Sequence, residues 1–208
     1  MSEKLVYVVD DDKDFRESLV WLLEGAGHQV SAFVSAEAFL LAYRDSTVAA
    51  CLLLDVRMVG MSGLALQQEL NQRNIKLPVI MITGHADVAM AVQAMKYHAV
   101  DFIEKPFNDE VLLTLVSQTL DDVIKQAKAL EQKDHVVQCW QSLSKREKEV
   151  AQLVIDGRVN REIADQLSIS IKTVEIHRSR VMSKMQAKNI AGLMTLISDM
   201  KSSDSSPY

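Results

Sequence analysis

Cysteine is scarce in this 208-residue chain, which carries only Cys51 and Cys139. They lie far apart, with neither metal-ligand spacing nor the density of a disulfide framework, so neither device organises the fold. A reduced, cytoplasmic protein is the default expectation. No apolar run reaches the roughly 20 residues that a membrane-spanning helix needs, so no membrane partner is expected. Met1-Ser2-Glu3-Lys4 leads straight into a strand-like segment and shows no signal peptide. Proline is absent between Pro106 and Pro207, and glycine between Gly84 and Gly157. A long stretch is therefore free of strong helix breakers. A large charge of one sign is also missing, the net charge being -5, but the distribution is uneven. Residues 1–140 hold 12 Lys and Arg against 20 Asp and Glu, and residues 141–208 hold 11 against 8. An acidic first part and a basic second part call for different partners, with a polyanion suited only to the second.

What is present is ordinary for a globular protein: 48% hydrophobic and 25% charged residues, in a length that fits one domain of usual size and a small one. The first part alternates short apolar runs with helical periodicity. Leu5–Val9, Val30–Val34, Ala50–Leu54, Pro78–Ile82 and Val100–Ile103 each have the length of a buried strand. Runs apolar on both faces predict strands covered by helices on both sides, hence a doubly wound α/β domain with five parallel strands over residues 1–122. Asn108-Asp109-Glu110 marks a helix start, and Leu113, Val116, Leu120, Val123, Ala127 and Leu130 then recur at spacings of three and four. Residues 123–141 read either as a solvated helical linker or as a continuation of the last helix that a partner subunit could contact. Residues 142–200 read as a small all-α domain of four helices, opened by the capping box Ser144-Lys145-Arg146-Glu147. Gly157 ends the first of these helices, Asn160 can cap the second, and Ser168-Ile169-Ser170 turns into the third. Residues 201–208 form a polar tail expected to be disordered.

In a doubly wound sheet, ligands bind beyond the carboxyl ends of the strands. Asp10, Asp11 and Asp12 follow the first strand, Asp55 ends the third, Thr83 the fourth, and Lys105 follows the fifth. Clustered carboxylates repel one another and call for a cation, and all-oxygen ligation suits Mg²⁺ or Mn²⁺. A carboxylate there can attack a phosphoryl group, with an ammonium and a hydroxyl neutralising the transferring oxygens. Asp55, Lys105 and Thr83 supply those three groups. Asp12 alone is equally well an acid at a helix N-terminus, and His85 is an ordinary loop histidine.

Val9-Asp10-Asp11-Asp12, Asp55 after its hydrophobic strand, Thr83-Gly84 and Lys105-Pro106 together resemble the receiver domain of two-component response regulators, over about residues 3–125. The resemblance implies that Asp55 accepts a phosphoryl group from a sensor histidine kinase. It implies Mg²⁺ ligation by Asp11, Asp55 and the Arg57 carbonyl, with Asp10 acting through water. It makes Thr83 and Phe102 a switch pair, sets Lys105 against the phosphate, and gives Pro106 a cis peptide bond. One departure stands out: Val59 occupies a position where the family usually has proline, so the loop after Asp55 is expected to be more mobile and the phosphoryl lifetime altered. Phe102 lacks the hydroxyl of the tyrosine in many relatives, leaving a purely steric switch.

Leu143-Ser144-x-Arg146-Glu147-x-Glu149-Val150, Gly157-x-x-Asn160-x-x-Ile163-Ala164-x-x-Leu167 and Ile169-Ser170-x-x-Thr173-Val174-Glu175-x-His177-Arg178 resemble the LuxR/FixJ-type helix-turn-helix. Val181-Met182-x-Lys184-Met185 completes the pattern. Val174, Val181 and Met185 would face inward, leaving Lys172, Glu175, Ile176 and Ser179 on one outward stripe suited to a major groove. Base reading falls to Glu175, Ile176 and Ser179. Lys172, Thr173, His177, Arg178, Arg180 and Lys184 are placed for phosphates.

The whole is similar to response regulators of the FixJ/NarL type and, among them, to StyR-like regulators of aromatic-hydrocarbon catabolism. That resemblance implies a transcriptional regulator rather than an enzyme, with at most weak autodephosphorylation. It also implies dimerisation on phosphorylation, binding to double-stranded promoter DNA, contact with RNA polymerase, and activation of a catabolic (aromatic or styrene) operon. A Mg²⁺-dependent phosphohydrolase would place a second acid two residues after the nucleophile, where Arg57 stands. A ligand-gated regulator of the quorum-sensing kind would not carry the acidic pocket.

Overall fold

The computed structural model describes residues 4–45, 47–84 and 88–203, apart from the side chains of residues 199 and 201–203. His85 and the end of the tail, residues 204–208, lie outside the described residues. The chain divides into two compact units between Gln126 and Ala127.

The first unit is built on strands β1 (Lys4–Val9), β2 (Gln29–Phe33), β3 (Ala49–Asp55), β4 (Val79–Thr83) and β5 (Asp101–Glu104). They pair in parallel in the order β2-β1-β3-β4-β5. Every residue of β3 and β4 is buried, which is why these central strands read as unbroken apolar runs. Alternation along the strands divides the core into two layers. Val9, Leu52, Leu54 and Met81 point to one face. Val6, Val8, Leu53, Ile80 and Ile82 point to the other, where they meet Leu19, Leu23, Leu112, Val116 and Leu120. Cys51 belongs to this second layer, and burial pushes its thiol up to about 12, so it stays protonated at neutral pH. The helices of this unit are α1 (Lys13–Gly25), α2 (Ala36–Ala42), α3 (Gly63–Gln72) and α4 (Val88–Lys96), followed by the first turns of α5 (Asp109–Gln141). Asp12, Ser35 and Ser62 cap α1, α2 and α3 by accepting from backbone N–H groups one turn on.

Helix α5 runs unbroken for 33 residues, as the lack of proline and glycine allows. Its early residues Leu112, Val116 and Leu120 are buried, residues 125–135 are exposed, and Val136, Cys139 and Trp140 pack on the core of the second unit. Residues 123–141 are thus the helical continuation of the last receiver helix, exposed in the middle.

The second unit adds α6 (Lys145–Ile155), α7 (Asn160–Leu167), α8 (Ile171–Lys184) and α9 (Ile190–Ser203). The last of these carries regular backbone three residues into the segment expected to be a disordered tail. Val150, Val154, Ile163, Val174, Val181, Leu193 and Ile197 form its core. Ser144 and Glu147 form the expected capping box. Asn160 does not cap α7: it is the first helical residue, and its Oδ1 instead accepts from Arg178 of α8. Ser168 takes a left-handed conformation at φ 53°, and Ser170 caps α8, which makes the tight helix-turn-helix corner. Among the described residues no helix is long and apolar enough to cross a membrane.

Glu147 does more than cap. Its buried carboxylate accepts from Lys184 Nζ at 2.7 Å and from the Ser144 backbone N–H at 2.8 Å. These bonds, the Lys184 one foremost, outweigh burial and hold its pKa down to about 2 from an ordinary 4.5. A carboxyl depressed on folding stabilises fully above its unfolded pKa and loses that contribution as pH falls through the folded one. Glu147→Gln should therefore cost the second unit roughly 1–2 kcal/mol at pH 7, less than a fully buried pair because Lys184 is partly exposed. The gap should close between about pH 4.5 and about pH 2. Denaturant titrations followed by Trp140 fluorescence in a Trp21→Phe background would show it, and an equal gap at pH 3 and pH 7 would contradict it.

Candidate functional site

The carboxyl ends of β1, β3 and β5 bring together Asp10, Asp55 and Lys105, which the sequence had placed at one edge of the sheet. Asp10 and Asp55 are buried. Lys105 Nζ lies 2.7 Å from Asp10 Oδ2 and 2.9 Å from Asp55 Oδ1, bridging the two acids. The aliphatic and charged end of Lys105 also sits over the Phe15 ring, Nζ 3.7 Å from its centroid. The Lys105–Pro106 peptide bond is cis. Burial raises the Asp55 carboxyl above its usual value and the negative charge of Asp10 adds to this, against the opposing hydrogen bond and charge of Lys105. Burial alone would lower the Lys105 ammonium, but its hydrogen bonds to Asp10 and Asp55 win and raise it.

The second carboxylate oxygen of each acid accepts from a backbone N–H group. Asp55 Oδ2 accepts from Arg57 N at 2.8 Å, and Asp10 Oδ1 from Asp12 N at 2.8 Å. Asp11 stands apart: its Oδ2 accepts from Val59 N at 2.8 Å. Thr83 is fully buried at the end of β4, and its carbonyl accepts from Lys105 N at 2.7 Å. Phe102 pairs in register with Met81 and is half-buried against the sheet core. Arg57 is exposed.

Several supporting residues were not read from the sequence. Arg16 Nη1 donates to the Asp10 carbonyl at 2.6 Å. Glu37 Oε1 accepts from Met61 N at 2.9 Å, so the loop after Asp55 is held at two points, Val59 and Met61, despite the missing proline ring. A Cβ at Gly63 would stand 2.2 Å from the Asp55 carbonyl oxygen, so only glycine lets α3 start this close to the acid. A glycine eight residues after an acid was the one signal available for it.

The acids at this edge, Asp10, Asp11 and Asp55, offer a cation oxygen donors only. That chemistry fits a hard divalent ion. Among the described residues, no three acid, histidine or cysteine groups are gathered closely enough to hold a metal. Lys105 lies between Asp10 and Asp55, and Asp11 is engaged by Val59.

In the second unit, Val174 and Val181 of α8 and the C-cap Met185 are buried, and Lys172, Glu175, Ile176, Ser179 and Arg180 are exposed on the outward side. Ile176, an apolar residue 45% exposed, stands in the middle of that stripe. Thr173 and His177 are half-buried at its margins, and the Thr173 hydroxyl is 2.7 Å from that of Ser170. Two of the cations expected at phosphates have intramolecular partners. Arg178 donates to Asn160, and Lys184 is shared by Glu147 and the Ser142 carbonyl. Arg146 likewise bonds Glu149 and the Leu167 carbonyl, tying α6 to the end of α7.

A five-stranded parallel sheet with a buried Asp–Lys–Asp bridge at its carboxyl edge, followed by a capped helix-turn-helix unit, defines a receiver coupled to a DNA-binding domain. Comparison with known proteins agrees. Residues 6–117 match the response regulator receiver domain, and residues 141–197 match the bacterial regulatory proteins of the luxR family. The chain belongs to the response regulators, in the FixJ-like group whose receiver is joined to a LuxR-type DNA-binding domain; these are transcriptional regulators rather than enzymes. It is 42% identical to the transcriptional regulatory protein FixJ of Azorhizobium caulinodans, over 94% of this chain and 93% of that one. It is 38% identical to the response regulator protein TodT of Pseudomonas putida, over 96% and 87%. Among solved structures, the response regulator StyR shares 40% identity at a TM-score of 0.83, with 94% and 98% of the two chains covered.

Proposed function

We propose that Asp55 is the phosphoryl acceptor and that its phosphorylation by a sensor histidine kinase drives dimerisation and promoter binding. The observation that carries this reading is the Lys105 ammonium held 2.9 Å from Asp55 and 2.7 Å from Asp10 at the mouth of the sheet. An Asp55 carboxylate oxygen bonds to phosphorus while the bond from phosphorus to the kinase histidine nitrogen breaks, the nitrogen keeping the electron pair. Lys105 and the Thr83 hydroxyl neutralise charge on the transferred oxygens. Asp11, Asp55 and the Arg57 carbonyl would hold Mg²⁺, or Mn²⁺ in its place, with Asp10 acting through water. When bound, the ion supplies positive charge against the phosphoryl oxygens. Slow attack of water on the aspartyl phosphate gives weak autodephosphorylation.

Engagement of Thr83 by the phosphoryl group favours the state with Phe102 turned inward, a shift of population rather than a new fold. The face affected is α4 and β5, where Val88, Val92 and Met95 of α4 and Val100 just before β5 are all exposed. Dimerisation through that face brings two α8 helices to paired half-sites. Glu175, Ile176 and Ser179 read bases there. Lys172, Thr173, His177 and Arg180 contact phosphates, while Arg178 and Lys184 act first as struts within the unit and reach phosphates from its margin. The kinship with FixJ, TodT and StyR supports activation through RNA polymerase in the cytoplasm, and an aromatic-catabolic operon, the styrene pathway included, as the target.

Intact mass after incubation with a small phosphoryl donor tests the acceptor. One phosphoryl group should be gained with Mg²⁺, none without it, and none in Asp55→Asn; a gain retained by Asp55→Asn would contradict the reading. On the DNA side, Arg180→Ala should weaken binding uniformly across sequences and reduce the slope of log affinity against log salt by about one. A loss confined to one base position would contradict the phosphate role.

A further inference from the structure

Each of the three acids at the carboxyl edge has its own protein donor. Asp10 and Asp55 share the Lys105 ammonium, and each also accepts a backbone N–H. Asp11 has no cation beside it among the bonds described; what holds it is the backbone N–H of Val59, 48 residues further along the chain. That donor exists only because residue 59 is not proline, which has no N–H to give. Nothing about the valine side chain is needed, since Val59 is 84% exposed.

The loop is built to present this N–H. Gly60 adopts φ 82°, in the left-handed region where glycine is favoured, and a Cβ there would meet Glu37 Oε1 at 2.8 Å. Glu37 Oε1 in turn accepts from Met61 N, two residues beyond Val59. Glu37 is held on α2, whose N-cap Ser35 accepts from Ala38 N. A fixed carboxylate on α2 thus pins one side of the turn, and the other side offers its N–H to Asp11.

We propose that the Val59 N–H is a latch that stores Asp11 outside the cation-binding set, so that Mg²⁺ loading requires Asp11 to exchange this hydrogen bond for the ion. The proposal rests on the reading of the acidic edge as the Mg²⁺ site and adds a regulatory step to it. Without the ion, each of the three acids has a donor within the protein, so the empty pocket is less strained than three facing carboxylates would be. The bond engages only Oδ2 of Asp11, but it fixes where the carboxylate stands, so bringing Asp11 to the ion costs that charge-assisted hydrogen bond and weakens Mg²⁺ binding. The receiver then responds to kinase only when Mg²⁺ is plentiful enough to open the latch.

The test is calorimetric Mg²⁺ titration of the full chain as wild type, Val59→Pro and Val59→Ala. Val59→Pro removes the donor and should bind Mg²⁺ about tenfold more tightly, the scale of one hydrogen bond to a charged group. Val59→Ala keeps the N–H and should stay within about twofold of wild type, a bound set by the same hydrogen-bond scale. Equal affinity in all three would overturn the latch and leave the Mg²⁺ site standing. Absence of binding in all three would overturn the site itself, and the latch with it. Should Val59→Pro fail to fold, amide exchange of wild type decides: the Val59 N–H should be protected without Mg²⁺ and exchange faster at saturating Mg²⁺. An amide that is unprotected without the ion, or unchanged by it, would overturn the proposal.

Discussion

The receiver depends on one electrostatic constraint: two buried carboxylates, Asp10 and Asp55, end adjacent parallel strands and share a single ammonium. Removing one partner from such a group leaves an uncompensated buried charge, which costs several kcal/mol. Much of the surrounding architecture serves that bridge. Phe15 lies beneath the Lys105 ammonium, and Arg16 holds the carbonyl of Asp10. Gly63 clears the space that lets α3 begin against the Asp55 carbonyl. On the proposed reading, the ammonium that would neutralise a phosphoryl oxygen is the one that already neutralises the Asp55 carboxylate.

The second unit uses a similar device for a different purpose. Glu147 is an acid buried under a lysine, but it ties the start of α6 to the end of α8 instead of facing an open edge. Arg146 and Arg178 do the same between α6 and α7 and between α7 and α8. The basic residues of this unit therefore divide into those with partners inside it, Arg146, Arg178 and Lys184, and exposed ones such as Lys172 and Arg180, which the proposed reading sets against the polyanion.

The parallel sheet was legible in the sequence because strands buried on both faces become continuous apolar runs, as β3 and β4 did, with ends correct to about a residue. The pocket was legible because Asp10, Asp55, Thr83 and Lys105 each close such a run or follow it. Less visible were contacts that depend on long-range placement. Lys184 reads from sequence as a phosphate-binding cation, yet Glu147 lies 37 residues before it and takes its ammonium. Asn160 has the composition of an N-cap, but tertiary contact with Arg178 claims its side chain. At Val59 the sequence showed only the loss of a ring and suggested a looser loop. The structure adds what the loss supplies, an N–H directed at Asp11. Backbone donors carry no sequence signature of their own, and only the fold says where they point.

Lys105 is the counter-ion of Asp10 and Asp55 and stands where the two buried carboxylates need positive charge. The most direct measurement is the Tm of the receiver transition in wild type and Lys105→Met, each with and without millimolar Mg²⁺. Without the ion, Lys105→Met should melt lower, because two buried carboxylates then face each other uncompensated. Added Mg²⁺ should raise its Tm by more than it raises that of wild type. A Lys105→Met protein that melts with wild type and responds equally to Mg²⁺ would contradict the account.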